Sequence, residues 1–185
     1  QLKFLRSLHI SKLRAKEKQI LVEGEKLVKE CLNKSYSSGF ELLEVFALED
    51  WIKDNQELIR RSACLATIIT PKQLKQISIQ KNPNQAVGLL RYSESTLPKL
   101  LDKNELYLAT DQLQDPGNMG TIFRMAEWFG VQSIILSTDS VDPYNPKVIQ
   151  SSMGSVLRIP FYRTDLKQVI DSINGSIPIY GTMLN

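Results

Sequence analysis

Short apolar runs alternate with longer amphipathic stretches along the first half of the chain. Runs rich in β-branched residues predict strands at residues 19–22, 42–48, 66–70 and 85–91. The stretches between them predict helices at 25–33 and 50–61, and Thr70, Pro71 and Gln73 form a typical capped helix start. Strands that alternate with helices favour a mostly parallel sheet covered on both faces.

The alternation resumes after residues 92–104, a polar stretch with one proline and no clear period. Strands are predicted at 106–110, 133–137, 156–161 and 178–181, and helices at 120–129, 146–152 and 165–173. Right-handed crossovers would stack these elements into a doubly wound sheet. We therefore predict an α/β protein with a domain at 1–92, a linker at 93–104 and a second domain at 105–185.

Composition excludes several classes of protein. Hydrophobic residues make up 42% of the chain and charged residues 23%, as in an ordinary globular protein. No apolar run reaches eighteen residues, so no membrane span is predicted. The chain begins at Gln1 with no apolar signal segment, which favours a trimmed form of a cytoplasmic protein. Cys31, Cys64 and His9 lack metal-ligand spacing, so we expect reduced thiols and no metal.

Positive charge is concentrated near the start of the chain. Residues 1–100 carry a net charge of +6, whereas residues 101–185 carry −3. The basic residues of the first eighteen positions stand against a single acidic one, Glu17, and they are Lys3, Arg6, Lys12, Arg14, Lys16 and Lys18. Such a cluster indicates a polyanionic partner, although a solvated lysine-rich face explains the charge equally well.

The segment at 109–130, ATDQLQDPGNMGTIFRMAEWFG, carries the most chemical information. A strand ends at Asp111, a tight turn covers 115–118, and a helix follows whose free N–H groups suit an anionic ligand. Arg124 lies six residues after Asn118, nearly two turns, so both side chains are expected on one side of the helix. Asn118 acting only as a helix cap is the alternative. The segment matches neither a dinucleotide fingerprint nor a phosphate-binding P-loop.

Two segments resemble the motifs of the SpoU (TrmH) methyltransferases of the SPOUT superfamily. The stretch 115–130 is similar to the first motif, a DPGN turn followed by an arginine six residues after the asparagine. The stretch 145–156, NPKVIQSSMGSV, is similar to the second, with Arg158-Ile159-Pro160 matching the strand after it. Residues 4–24 and 84–90 resemble the family's ribosomal-protein-like substrate-binding domain.

The resemblance implies transfer of a methyl group from S-adenosylmethionine (AdoMet) to a ribose 2′-hydroxyl of RNA, with ribosomal RNA expected first and transfer RNA second. It implies an α/β fold with a C-terminal trefoil knot and a homodimer. It also implies that Arg124 is the catalytic arginine and that Asn118 orients it. RNA would bind mainly at the basic residues of the N-terminal eighteen.

The role of Arg124 follows from its chemistry. Arginine is a poor base because its pKa exceeds about 12. We therefore expect Arg124 to hold the target phosphate through two hydrogen bonds and to stabilise developing oxyanion charge. A salt bridge with Glu127 or Asp115 is the alternative. Asp115 is expected to cap the turn and Asp111 to end the strand, and neither is assigned as a general base.

The cofactor site is only partly represented. Gly181, Thr182 and Leu184 resemble the first cofactor loop of the family, but the third motif, a Gly-Asn-Glu-Gly stretch, is missing from this chain. We expect the knot-forming segment to be absent, and residues 1–185 to bind AdoMet poorly and to be inactive alone.

Two other functions fit parts of the pattern. A non-catalytic RNA-binding module would explain the basic N-terminal half but not the presence of both Asn118 and Arg124. A phosphate-binding α/β protein of another family would explain the turn at 115–120 but not the Asn–Arg spacing or the second motif.

Overall fold

The first half of the protein folds around a four-stranded sheet. The computed structural model describes residues 1–94, 96–98, 101–173 and 175–182. The strands are β1 (Gln19–Glu23), β2 (Phe40–Ala47), β3 (Leu65–Ile68) and β4 (Ala86–Tyr92), in the order β1-β4-β2-β3. The helices are α1 (Leu2–Ser7), α2 (Ser11–Glu17), α3 (Glu25–Leu32), α4 (Glu49–Asp54), α5 (Gln56–Ser62) and α6 (Pro71–Ile77).

The second half is built on a parallel three-stranded sheet with the order β5-β6-β7. Its strands are β5 (Tyr107–Thr110), β6 (Ser133–Ser137) and β7 (Phe161–Thr164). Its helices are α7 (Pro116–Trp128), α8 (Pro146–Ser151), α9 (Ser155–Arg158) and α10 (Leu166–Ile173). The long helix α7 connects β5 to β6 and carries most of the first motif.

The mostly parallel sheet predicted for the first half is wrong. Strand β4 lies between β1 and β2 and is antiparallel to both, and only β2 and β3 are parallel. The long connection from α6 brings the chain back into the middle of the sheet, which a pattern of alternating elements does not reveal. The predicted capping box is confirmed, because Thr70 accepts a hydrogen bond from the Gln73 backbone and the Gln73 side chain accepts one from the Thr70 backbone.

Three predicted elements differ in the structure. The helix expected at 50–61 is two helices, since the Asn55 side chain donates a hydrogen bond to the Trp51 carbonyl at 2.7 Å and ends α4 there. The strand expected at 156–161 begins as the short helix α9, after Gly154 turns the chain at φ +85°. Residues 178–181 form no strand, and the Tyr180 side chain is 90% exposed.

A single hydrophobic core runs through both halves. Ile20 and Val28 of the first half belong to the same buried cluster as Met119, Phe123 and Ile134 of the second. A smaller cluster packs α1 and α6 against the other face of the first sheet. The two sheets are therefore held in a fixed relation by buried apolar contacts. No helix within the described residues is long and apolar enough to cross a membrane.

Candidate active site and RNA interface

Helix α7 begins at Pro116, four residues earlier than predicted, and Asp115 is its N-cap. The Asp115 carboxylate accepts a hydrogen bond of 2.7 Å from the Asn118 backbone N–H. Pro116 lacks an N–H and suits the first helical position. The role expected for Asp115 is therefore confirmed. The alternative, in which Asn118 caps the helix, is wrong because Asn118 lies within the first turn.

The side chains of Asn118 and Arg124 are both exposed on α7. A separation of six residues places them about 9 Å apart along the helix axis and about 120° apart around it. They therefore lie near the two edges of the exposed face. The expectation that both side chains lie on one side of the helix is wrong. The buried face between those edges is formed by Met119, Gly120, Phe123 and Ala126.

Within the described residues, Arg124 forms no salt bridge. The two carboxylates that could form a salt bridge with Arg124 have other partners. Asp115 caps α7, and Glu127 accepts hydrogen bonds from Arg158 and Ser155. The alternative of a local salt bridge is therefore wrong. The guanidinium is available to an anion that approaches α7 from solvent.

The two motifs meet where α7 crosses α8. A Cβ atom added to Gly120 would lie 2.0 Å from the Ser151 Oγ and 2.6 Å from the Ser152 backbone nitrogen. The Ser151 hydroxyl donates to the carbonyl of Pro116 at 3.0 Å. Only a glycine at position 120 allows this approach, so the second motif fixes the start of the helix that carries Arg124. The small residues of both motifs are the sequence signal for it.

The loop before α7 is supported by the segment after β6. The Gln112 backbone N–H donates to the Ser137 hydroxyl at 2.8 Å, and the Val141 N–H donates to the Leu113 carbonyl at 2.8 Å. Asp111 is exposed directly after β5, as expected for a residue that ends the strand. These hydrogen bonds connect the turn at 115–118 to the loop that contains Asp142.

Arg14 is not a surface residue, which corrects its assignment to RNA binding. Its side chain is 3% exposed and lies 2.5 Å from the Asp142 carboxylate. It also donates hydrogen bonds to the carbonyls of Leu8 and His9, at 3.0 and 2.8 Å. The guanidinium therefore joins α2 to the second half of the protein and is inaccessible to a nucleic acid.

The other basic residues of the N-terminal cluster are exposed, namely Lys3, Arg6, Lys12, Lys16 and Lys18. Lys16 and Lys18 have loose contacts of 3.8 Å with Glu17 and Glu94. In the described part of the chain, Lys3, Arg6 and Lys12 form no salt bridge. These five cations can still meet phosphate groups, and their RNA contacts stay a prediction.

Two of the three residues assigned to the cofactor, Gly181 and Thr182, do not form an enclosed site within the described residues. Gly181 and Thr182 are exposed, and a Cβ atom added to Gly181 would meet nothing within 4 Å. Leu184 lies outside the described residues. Gly181 and Thr182 therefore do not enclose AdoMet by themselves, and the assignment of Gly181, Thr182 and Leu184 to the cofactor stays a prediction.

A cleft of about 950 Å³ lies between the two halves, away from this chemistry. Tyr92 and Tyr144 line it together with Arg163, whose guanidinium donates to the backbone carbonyls of Thr138 and Ser140. Neither Arg124 nor Asn118 lines this cleft. Within the described residues, no group of His, Cys, Asp or Glu side chains is arranged to hold a metal ion.

The two cysteines are free thiols. Burial raises the pKa of Cys31 to about 12 and that of Cys64 to about 11. Both side chains are therefore protonated near neutral pH, and neither is an activated nucleophile. The reduced, partly buried thiols expected from the sequence agree with this environment.

Comparison with known proteins matches both halves to one group of enzymes. Residues 105–185 match the model of the SpoU rRNA Methylase family, and residues 1–88 match that of the MRM3-like substrate binding domain. The 23S rRNA (guanosine(2553)-2'-O)-methyltransferase RlmP of Bacillus subtilis is 28% identical over 97% of this chain and 68% of its own length. The chain spans a smaller part of other curated relatives, for example 33% of the length of rRNA methyltransferase 3B, mitochondrial, of Danio rerio.

Two solved structures share the arrangement of both halves. A putative RNA methyltransferase of the TrmH family from Porphyromonas gingivalis has a TM-score of 0.80 and 30% identity, over 100% of this chain and 70% of its own. An AdoMet-bound rRNA methyltransferase from Sinorhizobium meliloti has a TM-score of 0.79 and 27% identity, over 95% of this chain and 65% of its own. The fold is thus that of the SPOUT methyltransferases, as expected. The chain belongs to the SpoU (TrmH) family of RNA methyltransferases.

Proposed function

We propose that the full-length protein transfers a methyl group from AdoMet to a ribose 2′-hydroxyl of RNA, with ribosomal RNA as the first candidate and transfer RNA as the second. The observation that carries the proposal is the guanidinium of Arg124, which is exposed on α7 and has no salt bridge within the described residues, while Asp115 and Glu127 have other partners. The likeness to the 23S rRNA (guanosine(2553)-2'-O)-methyltransferase RlmP supports the substrate, and the AdoMet bound to the similar rRNA methyltransferase from Sinorhizobium meliloti supports the donor.

Arg124 would act as an electrostatic clamp. A guanidinium offers five N–H donors in a planar fork that matches phosphate oxygens, and it stays charged at every accessible pH. Bound to the phosphate beside the target ribose, it would orient the 2′-hydroxyl and stabilise negative charge that develops on its oxygen. The hydroxyl proton would pass to that phosphate or to water. Asn118 lies at the other edge of the exposed face of α7, and its expected role of orienting Arg124 stays a prediction.

The test is a methyl-transfer assay with labelled AdoMet and unmodified ribosomal RNA, on the full-length protein. Arg124→Ala is expected to lower the rate about a hundredfold or more, because removing one preorganised charge-stabilising group has effects of this size. Arg61→Ala is the matched control, since Arg61 is also an exposed arginine, at the end of α5. Label on a 2′-O-methyl nucleotide in the parent and the control, but not in Arg124→Ala, is the expected result.

Equal rates for Arg124→Ala and the parent would show that Arg124 does not take part in the reaction.

An RNA-binding module without catalysis is the second candidate function, favoured by the exposed lysines of α1 and α2. It would give RNA binding that weakens steeply with salt but no methyl transfer to ribosomal or transfer RNA.

We also propose that the protein is a cytoplasmic homodimer, that its methyltransferase domain contains the family's trefoil knot, and that residues 93–104 divide two domains. Met125, Trp128 and Phe129 support the dimer, because they form an exposed apolar surface at the end of α7. Trp128 is 85% exposed, which is unusual for so large an apolar side chain. Sedimentation equilibrium of the full-length protein would give a monomer mass if the dimer proposal is wrong.

A further inference from the structure

Arg158 lies where three elements of the protein meet. It is the last residue of α9, and its guanidinium contacts two carboxylates on different helices. The Nε atom donates to Glu127 of α7 at 2.5 Å, and one terminal nitrogen donates to the same carboxylate at 3.0 Å. The other terminal nitrogen donates to Glu30 of α3 at 2.9 Å. Arg158 therefore bridges the catalytic helix and the N-terminal half of the protein.

The surroundings are shaped to hold this bridge. Gly154, at φ +85°, begins α9, and a Cβ atom there would lie 2.6 Å from Leu27 Cδ1 and 3.0 Å from an Arg158 nitrogen. The absence of a side chain at 154 thus allows both α3 and the guanidinium to approach. The Ser155 hydroxyl donates to Glu127 at 2.5 Å and completes the set of donors around that carboxylate.

At this site one guanidinium binds two carboxylates. The hydrogen bond from Arg158 lowers the pKa of Glu127, which keeps that carboxylate ionised. All three side chains of the bridge are between 27% and 36% exposed, so solvent screens them only in part. An arginine is required for this geometry, because a lysine ammonium cannot bind one carboxylate through two parallel hydrogen bonds and also reach a second.

Glu127 follows Arg124 by three residues on α7, so the two side chains lie about one helical turn apart. We propose that Arg158 is a positioning residue, which fixes α7, and with it Arg124, relative to the substrate-binding half through Glu127 and Glu30. The expected effect of Arg158 on catalysis rests on the function proposed above. The bridge itself can be tested without any activity.

The first measurement is hydrogen exchange of the backbone amides of residues 125–129 in the full-length protein. Glu30→Ala removes only the contact to α3, and Arg158→Met removes the whole bridge while keeping an unbranched apolar stem. Both are expected to speed exchange about tenfold, because the last turn of α7 loses a tether. Glu25→Ala is the matched control, since Glu25 lies on α3 and, within the described residues, forms no salt bridge. Unchanged exchange in Glu30→Ala would overturn the proposal.

The second measurement is single-turnover methyl transfer at saturating RNA. Glu30→Ala is expected to lower the rate constant about tenfold while the amplitude and the Kd for RNA stay within about twofold, because a small displacement of a catalytic group slows the chemical step. Loss of folded protein would instead lower the amplitude. Arg158→Lys is expected to give a rate between those of the parent and Arg158→Met.

The two measurements separate the two proposals. If the parent transfers no methyl group, the proposed function fails, and hydrogen exchange still decides whether the bridge fixes α7. If the parent is active and Glu30→Ala keeps its rate constant, Arg158 has no positioning role between the halves.

Discussion

Arg14 places a charge inside the protein, where its hydrogen bonds decide whether it is tolerated. Its guanidinium donates to Asp142 and to two backbone carbonyls, while its Nε atom has no partner within the described residues. A buried arginine with these contacts is costly to truncate, because Asp142 and the two carbonyls would lose their donor. Arg14 therefore has a structural role that differs from that of the lysines beside it.

Replacing Arg14 should change the stability of the protein, whereas replacing Lys12 should change its RNA binding. Arg14→Ala is expected to lower the free energy of unfolding by about 3 kcal/mol or more, since it breaks a buried ion pair. Lys12→Ala should leave the stability nearly unchanged but reduce the slope of log K against log salt for RNA binding by about 1. Urea denaturation and RNA titration at several salt concentrations measure the two quantities. Equal stability of the two variants would show that the Arg14–Asp142 pair contributes little.

The sequence predicted the helix that exposes Arg124 but not the burial of Arg14, for a physical reason. Arg124 belongs to a local pattern in which the turn, the helix start and the spacing all lie within one short segment. The burial of Arg14 depends on Asp142, which is 128 residues away in the chain, and on the packing of α2 against the loop after β6. Charge clustering alone gives no information about such a distant partner.

At the scale of elements, the contact between α7 and α8 sets the position of the helix that carries Arg124. Gly120 lies in the interior of α7, where glycine is less favourable than alanine by about 1 kcal/mol. Its presence is explained by the Ser152 backbone, which a Cβ atom would approach to 2.6 Å. Close packing therefore outweighs helix propensity at this position.

Gly120→Ala is accordingly expected to destabilise the protein by about 1–3 kcal/mol, as overpacking of a close contact does. Gly39→Ala is the control, because a Cβ atom there would meet its nearest neighbours at 3.7 Å, an ordinary contact, and the backbone has no positive φ. Thermal denaturation of both variants measures the difference. A more stable Gly120→Ala variant would mean that α7 and α8 can separate at no cost.

Most elements of the fold could be predicted from periodicity and capping, but their pairing could not. The strand at Ser133–Ser137 and the cap at Thr70 follow from local residue types, and both are found as predicted. The position of β4 between β1 and β2 depends on contacts between distant segments. The pattern at 156–161 fits a strand or a buried helix, and the structure has the helix α9 at its start, after Gly154 turns the chain.

At the scale of the whole molecule, the helix that carries Arg124 is packed against the first half, whereas Gly181 and Thr182 are exposed within the described residues. A Cβ atom added to Gly181 would meet nothing within 4 Å in the described part of the chain. Only the resemblance to the family assigned Gly181, Thr182 and Leu184 to the cofactor. Whether they form a site depends on neighbours that local sequence does not specify.

Residues 1–185 are accordingly expected to bind AdoMet weakly. A site that buries little of a ligand's surface gives little binding free energy. Calorimetric titration of AdoMet into this chain should show no saturable heat at micromolar concentrations, whereas unmodified ribosomal RNA should still bind. Tight AdoMet binding would show that the segment at 178–182 closes around the ligand.

The shared hydrophobic core has a consequence for how such proteins can diversify. Modular exchange of domains requires a boundary that few buried contacts cross. Here α8 packs against β1 and α9 lies against α3, so the first half cannot be replaced without also changing the surface of α8 and α9. New RNA targets would then arise by substitutions on the exposed faces of α1 and α2, while the contacts of α8 with β1 and of α9 with α3 stay unchanged.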